Sequence, residues 1–486
     1  MNLVDAILRH GRGRPGVAAL ADGGRELTYA ELRDLVLRTA GHLASLGVRP
    51  GERVGICLKD GWRHVVVLLA AGALNAVAVP LDWRARGGEK TRVCEALGFK
   101  LVLIEPGDEF AAACPTVAAD AAWWRAVDRA VAPDRPAPDA NAPFVIAPTS
   151  GTTGLPKFSP ATHLQYYFRI VDFPEFQALT RPCRYLSTTP LYFGAGQRNC
   201  LAHLVRGDTV MLHPSLFRAS DLVETVNAAG IDIAFVVPTA VRKLLEIAGE
   251  AGPLLPGLSA LVAGGAPLFA HEKQAAARRL TPHFYERYGS SAAGGISTLC
   301  PGDLAERGDS VGQVNPLVEV EIVDEGGRPV PPGTTGRLRV RGLAVGTPLT
   351  DSDEFRGGWY YPGEVAALDA RDYLYIEGRA SDVIMRGGAK IYPSEIEAAL
   401  REHAGVADVA VIGTRAADNE ETIVAFVTAR GGLLDVGTLR AHCRGRLTPY
   451  KIPSVFHIVA ELPRNTGGKV DRARLVASLD QKQHGQ

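Results

Sequence analysis

The chain lacks net formal charge: 53 lysines and arginines balance 53 aspartates and glutamates over 486 residues. That balance argues against a global surface for nucleic acid or for an anionic membrane, and leaves only local patches open. Seven cysteines are present, Cys57, Cys94, Cys114, Cys183, Cys200, Cys300 and Cys443, but they are dispersed and lack C-x-x-C or C-x-x-H spacing. Neither a zinc site nor a disulfide framework follows from them. A reducing cytoplasmic setting fits best, with each cysteine read as a small buried apolar residue rather than a nucleophile. Long apolar runs are also missing. The longest nearly apolar stretch, Val65 to Pro80, contains Asn75 and ends at a proline, so it divides into a buried helix and a strand rather than forming a membrane span. Met1 to His10 is too polar for a signal peptide, and no repeat period indicates a solenoid or propeller.

What is abundant is core material. Hydrophobic residues make up 46% and charged residues 22% of a chain too long for one growing core, so at least two domains are expected. Thr28 and Glu31 stand at capping-box spacing and predict a helix through about Leu46. Short apolar strands at Val54 to Cys57, Ala76 to Val79 and Leu101 to Ile104 alternate with helices such as Trp62 to Ala73, which is the grammar of a parallel sheet. Arg125 to Asn141, rich in alanine, proline and charge, predicts a surface crossing before a strand at Phe144 to Ala147. Further strands are expected at 185–187, 209–211, 233–236 and 260–262, with helices at 221–229, 239–248 and 268–280. After Asn315 short alternating strands, 318–323 and 336–340, suggest a strand-rich lobe attached to the main sheet. A compact α+β unit then begins near Arg379 to Asp382, with a helix from Pro393 whose Ser394 and Glu397 have capping-box spacing. The fold class expected is α/β: a large layered N-terminal region over 1–380 with a strand-rich lobe, followed by a small α+β domain over 381–486.

The most informative run is Thr149-Ser150-Gly151-Thr152-Thr153-Gly154-Leu155-Pro156-Lys157, directly after the Phe144 strand. Gly151 and Gly154 permit close backbone approach, while the hydroxyls and Lys157 can donate to phosphate oxygens. Its spacing fits neither the Walker A loop nor the G-x-G-x-x-G fingerprint. On composition alone an ordinary surface turn stays open beside the phosphate-binding reading.

Four runs in order give a specific resemblance. Thr149 to Lys157, Gly264-Gly265-Ala266-Pro267, Tyr288-Gly289-Ser290-Ser291 and Pro463-Arg464-Asn465-Thr466-Gly467-Gly468-Lys469-Val470-Asp471 together resemble the adenylate-forming superfamily of acyl- and aryl-CoA ligases, amino-acid-activating domains and luciferases, nearly end to end. The resemblance implies two half-reactions: ATP and a small carboxylic acid form an acyl-adenylate and pyrophosphate, then a thiol captures the acyl group. It implies phosphate contacts from Thr149, Ser150, Thr152, Thr153 and Lys157, with Gly151 and Gly154 shaping the loop. It places Gly265, Ala266 and Pro267 beside adenine, Tyr288 stacked on it, Ser291 at the α-phosphate, and Glu364 and Arg379 at ribose or phosphate. Lys469 becomes the catalytic residue, a cation that neutralises the reacting carboxylate and α-phosphate together. Ser381 falls at the hinge between two domain orientations, followed by Asp382, and Gly388, in the Gly387-Gly388 pair, is the candidate for a narrow thiol tunnel. Without the resemblance, Gly264 to Pro267 reads as a strand-to-helix turn, Tyr288 as a core aromatic, and Glu364, Arg379, Asp382 and Lys469 as solvated surface charges.

Departures from the family pattern are equally specific. Ala292 stands where a magnesium-binding glutamate is usual, so Mg2+ remains an expected cofactor without its customary ligand, and Glu286 cannot be assumed to substitute. Pro362 and Glu364 replace a threonine and an aspartate. Phe193 replaces a common histidine, which with Tyr192, Gly194, Val236 and Gly264 suggests an acyl pocket favouring aromatic or medium-size aliphatic acids. Arg198, five residues on, reads first as surface-facing and second as a partner for a further substrate carboxylate. The thiol expected is coenzyme A, with a separate carrier-protein pantetheine as the alternative acceptor. A degenerate nucleotide-binding or interaction protein is the third reading, favoured by Ala292, Pro362 and Phe193.

Overall fold

The computed structural model describes residues 2–149, 157–179, 182–214, 217–249, 252–348, 353–386, 389–415, 421–432, 434–464 and 469–483. Two compact units divide the chain, Met1–Glu319 with Val340–Tyr360, and Val320–Arg339 with Tyr361–Gln486.

The first unit is layered α/β. Among the described residues one of its sheets runs in the order Thr116–Ala118, Leu101–Ile104, Arg53–Cys57, Val77–Pro80, Pro143–Thr149 and Lys157–Thr162. All neighbours are parallel except the last pair, an antiparallel hairpin in which Thr149 stands opposite Lys157. The central strands are buried on both faces, as continuous apolar runs require. A larger sheet sets Ile233–Val236, Ala260–Gly264 and Phe284–Ser290 side by side in parallel. One apolar cluster spans both sheets, from Leu3 and Val36 through Val66 and Phe144 to Tyr185 and Val262.

The Thr28 capping box forms as its spacing predicts: Thr28 Oγ1 accepts from the Glu31 amide at 3.3 Å, and the Glu31 carboxylate accepts from the Thr28 amide at 2.8 Å. The Thr28 amide and then the Thr28 hydroxyl, both donating to the carboxylate, hold the Glu31 pKa below the ordinary value. Thr28→Ala is expected to cost about 1 kcal/mol, read as a lower urea midpoint with an unchanged m-value. Arg125 to Asn141 is corrected in part, because Asp120 caps a helix over Ala121–Arg129 whose Trp123, Trp124 and Val127 are buried. A helix over Gly194–Arg206, which sequence reasoning missed, begins right after Phe193.

In the second unit a three-stranded sheet, Val406–Arg415, Glu421–Ala429 and Val455–Ile458, is buried on both faces. Strand alternation sends Val409 and Val411 toward Ile396 and Leu400 on one side, and Ala410 and Ile412 toward Leu462 and Leu475 on the other. The Ser394–Glu397 capping box does not form. Pro393 takes the first helical position, Ser394 Oγ donates to the Glu377 carbonyl, and Glu397 accepts from the Val411 amide at 2.8 Å and Arg472 at 2.7 Å. No helix of the described residues is long and apolar enough to cross a membrane.

Candidate active site

In the first unit the candidate residues gather at the carboxyl ends of neighbouring parallel strands, where open α/β sheets place their ligands. Gly264 ends its strand opposite Arg287, and a Cβ there would meet the Arg287 carbonyl at 2.6 Å, so only glycine lets these strands approach. Gly265 follows with φ +94° and open space beside it, and the Gly265–Pro267 turn is partly exposed. Val236 ends the adjacent strand but is fully buried in a cluster with Ala263 and Leu268. Tyr288 lies near the end of the Phe284–Ser290 strand and is half-buried. Ser291 follows that strand.

Phe193 precedes the Gly194–Arg206 helix, and its ring lies 4.5 Å from that of Tyr192. Tyr192 is buried, with its hydroxyl bonded to Arg84, a partner without a sequence signal. Gly194 is confined: a Cβ on it would sit 2.9 Å from Arg198 Nη1 and 3.6 Å from Ser291 Oγ. These three residues therefore share one corner. Arg198 does not face the surface; it is part-buried and its Nη1 reaches the Ser290 carbonyl at 3.4 Å.

Thr149 and Lys157 bracket the hairpin connection after the Pro143–Thr149 strand, while Ser150, Gly151, Thr152, Thr153 and Gly154 lie outside the described residues, as does Gly388.

The second unit brings three candidates together. Glu364 and Arg379 stand opposite each other on antiparallel strands, carboxylate to guanidinium at 3.7 Å. Lys469 is close enough to both for their charges to act on it. Its pKa lies below the ordinary lysine value, through desolvation first and Arg379 second, with Glu364 opposing. Lys469 is exposed, and its two charged neighbours act on it in opposite senses. Ser381 and Asp382 form a turn after Arg379, in which Ser381 Oγ donates to Asp382 at 2.8 Å and Asp382 lies 3.7 Å from Arg472.

Among the described residues, neither position weighed for a magnesium ligand supplies one. Ala292 is buried, and its carbonyl is occupied by Arg169 Nη2 at 2.6 Å and the Gly346 amide at 2.8 Å. Glu286 is held 2.6 Å from Lys273 inside the core. A separate buried group, Cys183, His203 and Asp208, has ligand atoms close enough for a metal. His203 Nδ1 is already paired with Asp208 at 2.7 Å, and burial pushes the Cys183 thiol well above its ordinary pKa, so the group reads as packing.

Two family models match the chain, one described as AMP-binding enzyme over residues 7–347 and one as AMP-binding enzyme C-terminal domain over residues 395–469. The chain is 32% identical to a feruloyl-CoA synthase from an Amycolatopsis species, over 95% of this chain and 96% of that one. It is 29% identical to an indoleacetate–CoA ligase from Aromatoleum aromaticum, over 98% of each. Of the solved structures, o-succinylbenzoate CoA synthetase from Bacillus subtilis, in complex with its acyl-adenylate intermediate, matches with a TM-score of 0.87 and 26% identity over 97% of each chain.

Fold and family models together define an adenylate-forming enzyme. The chain belongs to the AMP-binding enzyme family, and it is an AMP-forming acyl-CoA ligase that converts a carboxylic acid and ATP to an acyl-adenylate and transfers the acyl group to coenzyme A.

Proposed function

We propose that the acid is an aromatic monocarboxylate and that the thiol is free coenzyme A. The observation that carries this reading is the Tyr192–Phe193 pair beside the corner formed by Gly194 and Ser291, an apolar aromatic wall next to a hydroxyl. The relatives named for ferulate and indoleacetate act on aromatic acids, which supports the same class. A medium-size aliphatic acid is the second choice for such a wall.

In this reading the Thr149 to Lys157 loop and Ser291 hold phosphates, the Gly265 to Pro267 turn and Tyr288 hold adenine, and Glu364 accepts from ribose hydroxyls. Carboxylate attack on phosphate brings like charges together, and the Lys469 ammonium offsets that repulsion where it grows. Any magnesium is carried by the phosphates of ATP and by water. The boundary between 380 and 381 serves as a hinge, with Ser381 in its turn, and the Gly387-Gly388 pair lines the thiol route. The cysteines, free among the described residues, suit a cytoplasmic setting.

Screening benzoate, ferulate, indoleacetate, octanoate and a dicarboxylate for pyrophosphate release, with coenzyme A and mass detection of products, tests the assignment. Aromatic monoacids are expected to give the highest kcat/KM and a coenzyme A thioester. A preference for octanoate would sink the acid class. Thioester formation only on an added holo-carrier protein would sink the acceptor.

A further inference from the structure

Arg169 is 4% exposed, and its guanidinium is enclosed by backbone rather than by acids. Nε donates to the Ala344 carbonyl at 2.8 Å, Nη1 to Ser291 at 3.1 Å and Nη2 to Ala292 at 2.6 Å. Two glycines make room for it: a Cβ on Gly294 would lie 2.8 Å from Arg169 Cγ, and one on Gly346 would lie 2.8 Å from Nη2. Arg198 approaches the same Ser290–Ala292 turn from the Gly194–Arg206 helix. Burial and the Arg198 charge bring the Arg169 pKa down to about 9, and burial lowers that of Arg198 as well. Neither arginine has a carboxylate partner among the described residues.

Two guanidiniums without a counter-ion beside one hydroxyl form an anion site. A divalent cation held by protein would be repelled there, which agrees with the missing carboxylate at Ala292.

We propose that Arg198, backed by Arg169, is a fixed cationic subsite for a phosphate oxygen of the bound nucleotide, and that it supplies positive charge that a metal held by the missing carboxylate would otherwise bring. The subsite rests on the reading of Ser291 as the residue that faces the α-phosphate. Arg198 Nη1 and Ser291 Oγ both flank Gly194, the first residue of a helix whose N-cap residue, Phe193, makes no side-chain cap bond. The N-terminal end of that helix adds positive potential of the same sign. Arg169 is a positioning residue, since its donors are spent on carbonyls and only its charge reaches the site.

The test compares AMP with adenosine by calorimetry in excess EDTA, using the full chain, Arg198→Gln and Arg198→Lys. Wild-type protein is expected to prefer AMP in the absence of metal. Arg198→Gln is expected to lose about 10- to 100-fold of that preference, the loss of one charge-assisted hydrogen bond, with adenosine affinity unchanged as the control for folding. Arg198→Lys should retain most of it. An unchanged preference in Arg198→Gln overturns the proposal. So does a variant that keeps its AMP preference but loses binding of terephthalate relative to its monomethyl ester, which would make Arg198 a reader of a second substrate carboxylate. If wild-type protein binds neither AMP nor adenosine, the adenylate reading of this site fails first and the subsite with it.

Discussion

Lys469→Ala is expected to lower carboxylate-dependent pyrophosphate release by about two to three orders of magnitude, the usual cost of removing one preorganised transition-state donor. The loss should appear in kcat, because the charge matters most when carboxylate and phosphate close on each other. Thioester formation from supplied acyl-adenylate should fall much less. The pH dependence gives a second readout. In the proposed role the ammonium is the active form, so adenylation is expected to decline as pH rises through the Lys469 pKa, which lies below that of an ordinary lysine. Arg379 depresses that pKa and Glu364 raises it. Arg379→Gln is therefore expected to move the alkaline limb to higher pH, and Glu364→Gln to move it lower. Shifts in the opposite directions would separate Lys469 from these neighbours, and near-normal adenylation in Lys469→Ala would remove it from the mechanism.

The three residues behind that prediction show what a sequence can carry. Lys469 announces itself through the Pro463 to Asp471 run and Arg379 only through its single matched position, and the pairing of Glu364 with Arg379 depends on strand register, with a bulge between Val365 and Ala366. Buried parallel strands were legible to within a residue or two, for the physical reason that both faces need apolar side chains: Ile233–Val236 and Leu101–Ile104 are uninterrupted runs. The Gly194–Arg206 helix was not legible. Its first turn carries Gly194 and Gly196, residues that weaken a helical pattern, yet a Cβ on Gly196 would meet the Pro190 carbonyl at 2.3 Å, so the glycine serves close packing rather than a turn. Arg169 left no trace either. Arginine is exposed by default, and the carbonyls that hold this one lie 122 to 175 residues away in the chain. The Ser394–Glu397 spacing misled for the opposite reason, as both side chains found tertiary partners that outcompeted the local box.

Glu286→Ala is expected to destabilise the protein by about 3 to 5 kcal/mol, because it strands a charge in the core. Lys273 is 1% exposed; it lies 2.6 Å from Glu286 and donates to the Ser310 carbonyl at 2.8 Å. Burial raises the Glu286 pKa, and Lys273 pulls it back. Glu286 is the nearby acid weighed as a replacement metal ligand for Ala292, so the two roles make opposed predictions. A structural pair gives a large drop in the urea midpoint and, below the new transition, an unchanged magnesium dependence of pyrophosphate release. A metal ligand gives a small drop and a markedly weaker response to magnesium. The double variant Lys273→Met, Glu286→Leu sharpens the contrast. Removing both charges leaves none uncompensated and should recover most of the lost stability, whereas a ligand role would leave the metal response impaired in the double variant as in the single one.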